Sequence, residues 1–231
     1  MNVYIYIFTL IILTVSQSLK IITCKPGGLY GFYMLGISKY IKEHYNLENI
    51  KYYGASAGAW NSLYLSFKSD GNDFIKDLEN IDTSELENML SIENIIKNNL
   101  LKKYKSNDFY LNKINICVSI FKKYKLKKMI FSDFNDLEDI IDCCIASSHI
   151  PYITSNRFFH FYKNKKCLDG GFFLEPTPKH IKSDLVLSPT MWNTSNVNCF
   201  NNIKTLDIKK LIQSGYEDAH KHRSELDVKL L

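Results

Sequence analysis

The chain has 231 residues, of which 45% are hydrophobic and 23% charged. That is enough for one domain with a sizeable core, and it excludes a disordered chain. The net charge of +5, from 29 basic and 24 acidic residues, is mild; it permits attraction to an anionic membrane and demands no nucleic acid. Cys24, Cys117, Cys143, Cys144, Cys167 and Cys199 are even in number. A chain this long and apolar needs no disulfide scaffold, and no pair has zinc-ligand spacing, so reduced, buried thiols are expected.

Met1 to Gln17 carries no charged side chain, and the first charge is Lys20. The run is short for a membrane span. Ser16 and Ser18 have the small-residue spacing of a cleavage site, but no Lys or Arg precedes the apolar run. Residues 1–19 are therefore read either as a signal peptide or anchor, or as an extra apolar element packed on a domain spanning 20–231. Lys20 to Cys24 reads as a strand. Pro26-Gly27-Gly28-Leu29-Tyr30-Gly31 breaks it, and Phe32 to His44 reads as a helix with Tyr33, Ile37, Tyr40 and Ile41 on one face. A strand, a glycine-rich loop and a helix form an anion cradle of backbone N–H groups. The loop is neither a Walker loop nor a dinucleotide fingerprint.

Ile50 to Tyr53 is strand-like and Ala57 to Phe67 helical. Between them stands Gly54-Ala55-Ser56-Ala57-Gly58, the pattern of a nucleophile elbow. A sharp strand-to-helix turn strains the serine and points its hydroxyl out of the sheet, and the helix dipole behind it favours a developing oxyanion. Asp70 to Tyr110 is polar and helical, with Ser84 and Glu87 as a candidate capping box. Ile114 to Phe121 and Leu126 to Phe131 read as strands. They are joined by the densest basic run, Lys122, Lys123, Lys125, Lys127 and Lys128, which is either a solvated hairpin or a lipid-headgroup contact. Asn135 to Ser147 is an amphipathic helix. Arg157 to Tyr162 and Cys167-Leu168 are strands of a hairpin, followed by Asp169-Gly170-Gly171. Asp184 to Leu187 is a last core strand and Asp207 to Arg223 a closing helix. Alternating strands and helices predict a three-layer α/β fold, with a mostly parallel central sheet covered by helices on both faces.

Serine needs a base to act as a nucleophile. Among His44, His149, His160, His180, His220 and His222, none stands where the order serine, acid, histidine is compelling, with His180 and His220 left open. Asp169 is the better base, because the two glycines after it let a loop bring the carboxylate to Ser56.

Four segments in this order resemble the patatin-like phospholipases. They are Pro26 to Gly31 with Gly36, Gly54 to Gly58, Ala146-Ser147-Ser148-His149-Ile150-Pro151, and Leu168-Asp169-Gly170-Gly171-Phe172; Gly215-Tyr216-Glu217-Asp218-Ala219 is similar to that family's last helix. The resemblance runs from about Lys20 to Arg223. It implies a Ser56–Asp169 dyad, an oxyanion hole from the N–H groups of Gly27, Gly28 and Leu29, and motif support from Gly31, Gly54, Gly58, Gly170 and Gly171. Pro26 replaces the first of the family's usual glycines and has no N–H to give. Tyr30 replaces a common basic residue, and Phe-Phe-Leu-Glu-Pro follows Asp-Gly-Gly where Asn-x-Pro is usual. The implied activity is hydrolysis of fatty-acyl esters of phospholipids or related lipids through an acyl-serine, with no metal and no cofactor. Tyr and Phe side chains are expected around the acyl cleft. An acyltransferase with the same dyad, or a non-catalytic lipid-binding or storage protein, remains open. The expected partners are an acyl lipid and a membrane or lipid surface. Location follows residues 1–19: membrane-associated or secretory if they are a signal or anchor, otherwise cytoplasmic with peripheral membrane contact.

Overall fold

The computed structural model describes residues 19–192 and 203–231. The signal or anchor expected over 1–19 lies outside them but for Leu19, as does Cys199. The strands are β1 Lys20–Cys24, β2 Ile50–Ala55, β3 Ile114–Lys122, β4 Lys125–Phe131, β5 His160–Tyr162, β6 Lys165–Leu168 and β7 Leu185–Leu187. The helices are α1 Gly31–His44, α2 Ala57–Ser66, α3 Asn72–Glu79, α4 Met89–Lys103, α5 Leu137–Ser147, α6 Ile208–Lys221 and α7 Arg223–Leu230.

The sheet runs β5-β6-β3-β2-β1-β7, with β4 also on β3, and helices flank it. Its parallel half is β3-β2-β1-β7; β4, β6 and β5 join through antiparallel pairings. Apolar, β-branched stretches such as Ile-Ile-Thr-Cys in β1 and Ile-Cys-Val-Ser-Ile in β3 suit strands buried on both faces. Ile22, Ile116, Val118 and Leu187 are wholly buried in the core, as are Tyr40, Ile41 and Leu63 from the helices.

β3 carries partners in an unusual way. β4 pairs along residues 116–122, so it occupies one edge of β3 throughout that length. β2 pairs with residues 114–117 and β6 with 119–121, both overlapping the span of β4. A strand has only two edges, so β2 and β6 share the other one, end to end. β2 runs up to Ala55 opposite Cys117, and β6 runs down to Leu168 opposite Ser119. The two chains meet head-on at the level of Val118.

α1 and α6 cross closely because both carry glycine at the contact. A Cβ on Gly36 would lie 1.9 Å from the Ile212 carbonyl oxygen, and one on Gly215 would lie 1.9 Å from that of Tyr33. The Tyr33 hydroxyl donates to Asp218 at 2.9 Å across this crossing. Two expectations change in outline. Ser84 does not cap a helix with Glu87: its N–H and hydroxyl donate to Asp82, and α4 starts later, capped by Asn88, whose side chain accepts from the Ser91 N–H. The closing helix breaks at His222 and resumes as α7, whose Leu226 and Leu230 are buried. The five described cysteines are free and buried.

Candidate active site

The residue after β2 is Ser56, and the residue after β6 is Asp169. The head-on meeting of these strands therefore brings the two side chains together with no third residue between them. Ser56 has φ 54° and ψ −130°, a conformation that a non-glycine residue holds only when its surroundings enforce it. Close packing enforces it here. A Cβ on Gly58 would stand 2.0 Å from the Cys24 carbonyl oxygen, and one on Gly54 would stand 2.3 Å from that of Gly58. The Ser56 N–H donates to Ser147 Oγ at 2.8 Å, and Ser147 Oγ donates to the Cys117 carbonyl at 2.7 Å, tying the turn to α5 and β3.

Asp169 is buried. Its N–H donates to the His149 carbonyl at 2.7 Å, and its own carbonyl accepts from Ser119 Oγ at 2.7 Å. Oδ1 accepts from the Gly171 N–H. Burial pushes the carboxyl up to about 6, opposed by the Ser56 hydroxyl and the Gly171 N–H. Oδ2 has no hydrogen bond of ordinary geometry among the described residues. The serine hydroxyl thus stands close enough to favour the ionised carboxylate without a formed bond, a looseness common in ligand-free sites. Gly170 packs on the Cys117 carbonyl and Gly171 on Pro26.

After β1, Gly27 leads into a short 3-10 turn over Gly28–Tyr30, with Gly28 at φ 51°. The N–H groups of Gly27, Gly28 and Leu29 make no hydrogen bond among the described residues. Gly31 abuts Ala57: a Cβ there would lie 2.6 Å from the Ala57 Cβ. The loop therefore lies against the first residue of α2. The Ala57 N–H is likewise unbonded among the described residues and joins the same set of donors, a residue that the motif reading passed over.

These groups open onto a cavity of about 240 Å³ lined by Gly28, Leu29 and Ser56. Its walls are mainly aliphatic: Leu35, Leu78, Ile92, Ile96, Ile150 and Ile153, with Phe32, Phe74 and Trp60. No tyrosine among the described residues lines it, against the expectation of Tyr and Phe together. The tyrosines Tyr33, Tyr40, Tyr52 and Tyr64 are used in the core instead.

One further acid stands in this wall. Glu93, on α4, is fully buried, and desolvation pushes it up to about 8, so it is neutral at pH 7. Its Oε1 accepts from Trp60 Nε1 at 3.3 Å, and Trp60 Nε1 also reaches Ser148 Oγ at 3.2 Å. Glu93 Oε2 has no partner among the described residues. Glu93 lies in a polar helical stretch without a motif, so nothing local in the sequence marks it.

The histidines bond elsewhere. His149 Nε2 is 3.3 Å from the Phe158 carbonyl, and the rings of His149 and His160 are 5.9 Å apart. His44 and His222 bond main-chain carbonyls of Tyr40 and Asp218, His220 meets the edge of Tyr40, and His180 is exposed. Among the described residues no histidine side chain hydrogen-bonds Ser56 or Asp169. No group of three or more His, Cys, Asp or Glu side chains converges as a metal site among them.

Comparison with curated proteins gives no match. Among solved structures, the chain is similar to VipD from Legionella pneumophila at 13% identity and a TM-score of 0.38, over 74% of this chain and 49% of VipD. The chain thus spans about half the length of that protein. The family model of the patatin-like phospholipases matches residues 26–180, from the glycine-rich loop past the elbow and Asp169. A match over that share of the sequence means that the chain belongs to the patatin-like phospholipase family.

Proposed function

We propose that the chain is a lipid acyl hydrolase that uses a Ser56–Asp169 dyad. The observation that carries this reading is the head-on meeting of β2 and β6 on one edge of β3, which leaves the serine and the buried carboxylate as direct neighbours at an apolar cavity. Asp169 takes the Ser56 proton as Oγ attacks the acyl carbonyl. The N–H groups of Gly27, Gly28 and Leu29, with that of Ala57, receive the negative charge that develops on the carbonyl oxygen. Collapse of the tetrahedral intermediate expels the alcohol, which takes the proton from Asp169, and leaves an acyl-serine. Asp169 then deprotonates a water that attacks the acyl-serine; fatty acid leaves and Ser56 regains its proton. A carboxyl near 6 suits this cycle, since it is ionised at neutral pH yet basic enough to accept a proton. The aliphatic wall of the cavity receives the acyl chain.

The test combines labelling of purified protein by a fluorophosphonate with release of fatty acid from a panel of phospholipids and neutral acyl lipids. Wild type should do both, and Ser56→Ala neither, with its circular dichroism unchanged. Labelling or release that persists in Ser56→Ala removes the reading. Transfer of the acyl group to a lysolipid or glycerol, in place of fatty acid release, makes the protein an acyltransferase.

A further inference from the structure

We infer that the paired tips of the β3–β4 and β5–β6 hairpins, with the exposed apolar side chains Tyr152, Ile153 and Leu174, form a docking surface for an anionic phospholipid bilayer. This builds on the hydrolase reading in that the surface presents the cavity to lipid, but its test reads binding and not turnover. The topology supplies the first argument. Ser56 and Asp169 stand level with Val118, whereas β3 continues to Lys122, opposite Lys125 of β4. Four residues at about 3.3 Å each carry this hairpin about 13 Å beyond the dyad. β6 runs antiparallel beside it, with Lys166 opposite Phe121, so the β5–β6 turn ends at the same height. Both basic hairpins thus project from the end of the sheet at which the serine opens.

Their composition supplies the second. Lys122, Lys123, Lys125 and Lys127 are exposed and make no salt bridge among the described residues, whereas Lys163 is held by Asp139 and Lys128 by the carbonyls of Glu175 and Thr177. Between the free lysines stands Tyr124, 94% exposed at the turn, with Lys123 and Tyr124 both at positive φ. A relaxed turn of this kind takes Asn-Gly; this one instead sets an aromatic ring outward among cations, the pairing found at membrane interfaces. Leu174, five residues after Asp169 in the chain, is 80% exposed and Tyr152 69%, and Ile153, next to Tyr152 and exposed as well, lines the cavity itself. Exposed apolar groups, one of them in the cavity wall, together with unpaired cations fit a layer whose interior is apolar and whose headgroups are negative. No helix among the described residues is long and apolar enough to cross a membrane, so this surface would act by lying on the bilayer.

The experiment is co-sedimentation of the purified chain with vesicles of phosphatidylcholine alone and of phosphatidylcholine with one-fifth phosphatidylserine. Wild type should prefer the anionic vesicles, and salt should reduce the preference. Each exposed lysine contributes about fivefold to partition, so Lys123→Gln with Lys125→Gln should lower binding to anionic vesicles about 25-fold. Tyr124→Ser with Leu174→Ser should weaken binding to both vesicle types. Hydrolysis of soluble para-nitrophenyl butyrate should stay at the wild-type level in both double variants. Vesicle binding by a chain that hydrolyses nothing would keep the surface and remove only the hydrolase. Equal binding to both vesicle types, lysine variants that sediment as wild type does, or a face that self-associates and ignores vesicles would each overturn the inference.

Discussion

Glu93→Gln isolates an unusual group, a carboxyl fully buried in the wall of the cavity. Glutamine keeps the size of the side chain and an oxygen that can accept from Trp60 Nε1, but it cannot ionise. In the wild type the carboxyl titrates at about 8, against 4.5 for the free side chain. The sign follows from the raised value: the stability of the neutral acid is fully present below 4.5 and is lost as pH rises through 8. Most of the window lies below neutrality, where Asp169 also titrates. Between about pH 6.5 and pH 9.5, however, Asp169 has passed most of its titration and Glu93 contributes a loss on the order of 2 kcal/mol. Lys42, pushed down to about 8 by burial, acts in the opposite sense, gaining stability as it loses its proton. The informative quantity is therefore the difference between wild type and Glu93→Gln, from which Lys42 cancels. Urea unfolding at both pH values should show the Glu93→Gln variant gaining on wild type by that amount at the higher pH, with the denaturant slope unchanged. A difference independent of pH would mean that Glu93 does not titrate in this range, and the account of its burial would fall.

Asp169→Asn should lower turnover by about a thousandfold or more, several kcal/mol of transition-state stabilisation, with folding kept because the amide has nearly the same shape. His149→Gln, His160→Gln, His180→Gln and His220→Gln should each keep most activity; one folded histidine variant as inactive as Asp169→Asn would replace the dyad with a triad. For wild type, log kcat/KM should fall with unit slope as pH drops through about 6, where the buried Asp169 takes up its proton. A profile flat down to pH 4 would exclude Asp169 as the base. Gly58→Ala should fail to give soluble folded protein, because the new methyl would lie 2.0 Å from the Cys24 carbonyl oxygen; a folded, fluorophosphonate-reactive variant would show that the turn can relax.

By itself the sequence determined the local pieces. The elbow, the glycine-rich loop and Asp-Gly-Gly are short segments whose backbone demands are written in glycines and in the strand or helix on either side, so their conformations were legible from residue types and spacing. The alternation of apolar strands with amphipathic helices likewise determined the layered α/β fold. Tertiary structure alone decided what depends on register and on long-range contact. That β2 and β6 share one edge of β3 follows from pairings between residues far apart in the chain, and that sharing is what brings Asp169 to Ser56 without a histidine. Glu93 and Trp60 meet because α4 and α2 both pack on α5, an encounter for which neither segment carries a local signal. The Ser84 cap failed for a related reason: Ser84 hydrogen-bonds the nearer Asp82, and the helix waits for Asn88. Periodicity and spacing report what a segment can form, whereas partner choice is set by burial and hydrogen bonding summed over the whole fold.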